Sequence, residues 1–96
     1  LKRYDEAIAI VQANLRQKTA RANAAPNDAE PWRDLAVPQR NLANIYWDKG
    51  DSASACRVMR DAIAAWTHVE KRWGLGEQDR RTELDVLRKQ LAERHC

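Results

Sequence analysis

Between Ser52 and Trp73 the apolar residues fall at Ala55-Cys56, Met59, Ala62-Ile63, Trp66, Val69 and Trp73, in steps of three and four. Side chains so spaced share one face of an α-helix, whereas in a strand they would alternate between two faces. This is the strongest periodicity in the chain, and it predicts a long amphipathic helix over residues 52–73. Residue types agree with it. Glycine and proline number three each, phenylalanine is absent, and alanine, leucine, arginine and glutamate dominate, so helix-favouring side chains outnumber strand-favouring ones. The expected class is all-α.

Flanking segments carry the same period. Tyr4, Ala7-Ile8, Val11 and Leu15 predict a first helix from Tyr4 to about Ala24. Pro26 ends it by forcing the preceding residue toward an extended conformation. Asp28 is the expected N-cap of a second helix, with Pro31 in the first turn, where a missing N–H costs least. Its stripe runs Trp32, Leu35, Leu42 and Ile45-Tyr46, and Pro38 predicts a bend or break near Asp34 to Val37. Gly50 suits a left-handed C-terminal position, and Asp51 or Ser52 can cap the third helix. So short a link makes the second and third helices an antiparallel hairpin. Gly74-Leu75-Gly76 ends the third helix, and a fourth from about Gln78 carries Leu84, Leu87 and Leu91.

Size and charge narrow the function classes. With 96 residues the chain makes one domain or a piece of one. It opens on Leu1 with the helical pattern already running at Tyr4, so residues 1–96 are expected to be part of a longer protein. No apolar run approaches the ~20 residues of a membrane span, and cytoplasmic location is expected from class. Net charge is +3, but the 17 basic and 14 acidic side chains are interspersed. The nearest basic stripe, Arg80-Arg81 with Arg88-Lys89, is interrupted by Glu83 and Asp85, so nucleic acid is not the expected partner.

Residues that carry chemistry are few and scattered. Cys56 and Cys96 have no partner-like spacing to each other, to His68 or to His95, so no zinc or redox motif is read there. Cys56 is expected as a small buried thiol and Cys96 as an exposed, incidental one. Carboxylate pairs such as Asp5-Glu6, Asp48 with Asp51, and Asp79 with Glu83 lie at helix starts or on polar faces, where dipole complementarity and solvation account for them. Neither histidine has a nucleophile to serve. No catalysis, cofactor or metal is expected. Of the four tryptophans, Trp32, Trp66 and Trp73 fit the apolar stripes as core residues. Trp47 points off its stripe, toward a neighbouring surface or a ligand.

Self-similarity organises the whole chain. Aligning Ala7 with Ala55 also pairs Ile8 with Cys56, Val11 with Met59 and Leu15 with Ile63; a shift one residue larger pairs Leu35 with Leu84, Leu42 with Leu91 and Ala43 with Ala92. The central hairpin reads Leu42-Ala43, Tyr46, Gly50, Ala55, Met59 and Ala62. Those spacings resemble the tetratricopeptide repeat, in which small residues allow close helix approach and larger ones fill the gaps between layers. Gln39 stands where that pattern prefers a large apolar residue and Thr67 where it often has proline. The phrase Asn27-Asp28-Ala29-Glu30 followed by Trp32-Arg33-Asp34-Leu35-Ala36-Val37 is similar to the longer repeat variant of bacterial signalling proteins, including serine/threonine kinase tails.

That resemblance implies a right-handed superhelix of about four helices, comprising a last repeat and its closing helix. It further implies a scaffold for protein–protein interaction, with the partner held on the concave face by the second and fourth helices. The inward-pointing residues would be Val37, Arg40, Asn44, Trp47 and Asp48, followed by Lys89 and Glu93. Arg40 and Asn44, one turn apart, are similar to half of a carboxylate clamp, with Lys89 as a second cation, which favours an acidic or extended peptide. Self-association is expected where helical faces are left without a neighbour. The competing classes are a structural oligomerisation or capping segment without a ligand, and a nucleic-acid-binding regulatory domain.

Overall fold

The computed structural model describes residues 3–96, so Leu1 and Lys2 lie outside the described part. Among the described residues every regular element is helical: α1 (Tyr4–Ala24), α2 (Ala29–Arg33), α3 (Ala36–Lys49), α4 (Ser52–Trp73), α5 (Glu77–Asp79) and α6 (Asp85–Glu93). A π-helical turn, Arg80–Leu84, joins the last two into one closing helix.

Local chemistry explains most of the boundaries. The Asp28 carboxylate accepts the Glu30 N–H at 3.1 Å and starts α2. The break expected before Pro38 falls at Asp34-Leu35, where the Leu35 N–H donates to the Trp32 carbonyl at 3.3 Å. At the end of α3, Gly50 takes a φ of 93° and its N–H bonds the Trp47 carbonyl, while the Asp51 N–H reaches the Tyr46 carbonyl at 2.8 Å. The Asp51 carboxylate then accepts the Ser54 N–H at 3.1 Å and opens α4. Hydrogen bonding from Ser54, side chain first and backbone second, holds the Asp51 carboxyl below its ordinary pKa.

The apolar spacing gives no sign of the π turn. Within it the Thr82 hydroxyl donates to the Gln78 carbonyl at 2.8 Å, and such back-bonding competes with the i to i−4 ladder. The backbone widens here, with the Asp85 N–H bonded to the Arg80 carbonyl, although the same back-bond from Thr67 to Ile63 leaves α4 regular.

Helix α3 packs most extensively on α4 and next on α1, whereas α1 and α4 have little direct contact. The main core joins α3, α4 and the closing helix through Ala36, Ala43, Met59, Ala62, Trp66, Leu84 and Leu87. A second, smaller cluster of Ala22, Leu35 and Ala65, with Leu15 and Trp32 against it, ties α1 and α2 to the far half of α4. Gln12 Nε2 donates to the Tyr46 hydroxyl at 3.1 Å, and Lys49 pairs with Asp5 at 2.8 Å. Those bonds hold the start of α1 against the end of α3.

Two expectations are corrected. Cys56 and Cys96 form a disulfide, with Cα atoms 5.5 Å apart, so Cys96 is neither free nor incidental. Antiparallel return of the closing helix along α4 brings the chain's last residue beside the first turns of α4, a juxtaposition that a separation of 40 residues does not display. Arg60 reinforces it by donating to the Cys96 carbonyl at 2.6 Å. The second correction concerns the tryptophans. Trp66 is buried, but Trp32 and Trp73 are only half-buried, flanking His68 at ring-centroid distances of 4.2 and 5.7 Å. Trp32 packs against the smaller cluster and Trp73 lies at the end of α4 beneath the Arg72 guanidinium, 5.4 Å from the ring centroid.

Candidate functional site

The seven residues expected to hold a partner divide between α3 and the closing helix. Val37, Arg40, Asn44, Trp47 and Asp48 recur on α3 at helical spacing. Val37 is 57% exposed and adjoins Ile10, Val11 and Pro38 in a shallow depression between α1 and α3. Asn44 and Asp48 are exposed. The others are engaged within the chain: Arg40 pairs with Glu83 of the π turn at 3.2 Å, and Trp47 packs against the main core beneath the Arg94 guanidinium, 4.6 Å from the ring centroid. Lys89 and Glu93 are exposed and lie 3.9 Å apart on α6. An incoming carboxylate would compete with Glu83 for Arg40 and with Glu93 for Lys89.

A larger open depression lies on a different surface. Because α1 and α4 both rest on α3 with little direct contact, a groove of about 670 Å³ opens between them. Its α1 wall carries Gln12, Leu15, Arg16, Thr19 and Asn23; its α4 wall carries Val58 and Asp61. Gln39 and Leu42 of α3 form the floor. A second depression of about 390 Å³ shares Leu15, Thr19, Gln39 and Asp61 and continues the groove toward Trp32, Leu35 and His68.

The floor contains an unusual polar group. Gln39 is only 7% exposed, and its Oε1 has no hydrogen-bond partner. A buried, unpaired carboxamide oxygen costs roughly 1–3 kcal/mol relative to a paired one. Position 39 falls on the inward stripe of α3, between Leu35 and Leu42, where apolar side chains would pack without that cost. On the walls, Arg16 and Asp61 are both exposed, and neither forms an ion pair among the described residues. The groove thus combines walls of mixed polarity, opposite charges on its two rims and an unpartnered acceptor enclosed at its base.

The sequence carried one sign of this groove, a glutamine on an otherwise apolar stripe. Its other lining residues belong to helices far apart in the chain, and only their packing on α3 brings them together. Among the described residues no group of three or more His, Cys, Asp or Glu side chains could hold a metal ion, and no helix is long and apolar enough to cross a membrane. No family model, curated protein or solved structure matches this chain.

Proposed function

We propose that this chain is a helical interaction module that binds a peptide segment of a partner protein, the function class implied by its resemblance to tetratricopeptide repeats, on a different face from the one that resemblance implies. The observation that carries the reading is the open groove between α1 and α4, floored by α3 and walled by a mixture of apolar and polar side chains. Ligand sites combine such walls with a few oriented polar groups. The α3–α4 hairpin supports the resemblance, since Ala43, Ala55, Met59 and Ala62 of the repeat pattern all lose their whole surface. The Cys56–Cys96 bond favours an oxidising compartment over the cytoplasm that class alone suggested.

Selection of a phage-displayed library of random linear peptides on the oxidised protein tests the proposal. Enrichment of related sequences that bind saturably supports it; failure to enrich any sequence counts against it. Self-association without a ligand is the second reading, favoured by Ile10 and Val37, which are 70% and 57% exposed on adjoining helices. Molecular mass measured across a dilution series separates it from peptide binding.

A further inference from the structure

Gln39 places an amide at the centre of the groove, 93% buried as its 7% exposure requires, with an oxygen that nothing in the chain satisfies. A carboxamide offers one acceptor and two donors in one plane. That set matches a main-chain peptide group, which presents one donor and one acceptor side by side. Helical segments cannot use it, because their main-chain groups are already paired internally. An extended segment can, since one edge of its backbone remains free.

The walls agree with an extended occupant. From Val58 to His68 the α4 wall runs about 15 Å at the helical rise, room for roughly five residues of extended chain at ~3.3 Å each. With a backbone edge turned to the floor, successive side chains point to opposite sides. One set faces α1, where Leu15 lies beside the unpaired Arg16, and the other faces α4, where Val58 lies one turn from the unpaired Asp61.

We propose that the groove between α1 and α4 holds an extended partner segment whose main-chain amide pairs with the Gln39 carboxamide. Its alternating side chains place an acidic residue against Arg16 and a basic one against Asp61. The inference rests on the peptide-binding reading above and names its site and ligand class. Rotation about the terminal torsion of Gln39, which is broad for this side chain, exchanges the enclosed oxygen for the amino group, so one or the other of its polar atoms faces the occupant.

Peptides from the random library, measured by titration against the oxidised parent and two variants, test it. Gln39→Leu is expected to weaken binding about tenfold, the loss of one buried hydrogen bond, while raising the melting temperature, because it removes an unpartnered polar group from an apolar stripe. A glutamine that only supported the fold would move both readouts in the same direction. Asp61→Lys, at an exposed position, is expected to replace the basic residue by an acidic one in a fresh selection. Peptides that bind both variants like the parent would place the site elsewhere and leave peptide binding standing, whereas a library that yields no binder overturns both. Chemical shifts showing the bound peptide to be helical would overturn the extended occupant.

Discussion

Ala55 has no exposed surface, and it lies on the same stripe of α4 as Met59 and Ala62, which belong to the core shared with α3. Where two helices approach on small side chains, extra methylenes force the pair apart, so Ala55→Leu is expected to cost about 1–3 kcal/mol. Ala64 lies on the opposite, exposed side of α4, and Ala64→Leu should leave the urea midpoint close to that of the parent. Equal midpoints for the two variants would refute the packing. Asp51 acts at the same scale through charge. Its carboxyl is held below its ordinary pKa by Ser54, so the stabilisation is present above the unfolded carboxylate range and is lost as pH falls through the folded value. Asp51→Ala should therefore lower the melting temperature at neutral pH, and thermal scans of parent and variant should converge in acid. Lys49 has the reverse sign: bonding to Asp5 raises its pKa, and that contribution is full at neutral pH and fades only in strong alkali.

At the scale of elements, the α3–α4 turn was legible because its signals are local. Gly50 adopts a φ of 93°, and no neighbour lies within 4 Å of where a Cβ would stand, so conformation alone explains the glycine. Gly50→Ala should cost about 1–2 kcal/mol through the left-handed backbone, with Gly50→Asn closer to the parent in denaturant unfolding. The break before Pro38, the Asp28 and Asp51 caps and the full span of α4 were readable for the same reason: each is decided within a few residues of chain. The π turn was not. Leu84, Leu87 and Leu91 suit an unbroken helix, and the back-bonding threonine there is no marker of widening, since Thr67 bonds the Ile63 carbonyl in the same way within regular α4.

On the scale of the molecule, the helices form an elongated body of 42 × 29 × 18 Å with a radius of gyration of 13.5 Å, against about 12.5 Å for an average compact chain of this length. Leu84 and Leu87 bury the closing helix in the main core, and further ties hold it to the rest: the pairs Arg33–Asp79, Arg40–Glu83 and Arg80–Glu70, together with the disulfide. Closing a loop of about 40 residues restricts the unfolded chain by about 4 kcal/mol in the entropic account. Reduction should therefore lower the denaturant midpoint substantially, and hydrogen exchange should accelerate first in α6. Unchanged exchange in α6 after reduction would show that packing alone holds it. Helix positions, caps and the all-α class were determined by the sequence itself, because backbone propensity, turn chemistry and a 3.6-residue period act between near neighbours. Only the tertiary structure decided that Cys56 meets Cys96, that Arg40 is engaged by Glu83, and that Gln39 floors a groove between two helices. Each depends on how elements far apart in the chain are oriented against α3 and α4, and no local period records that orientation.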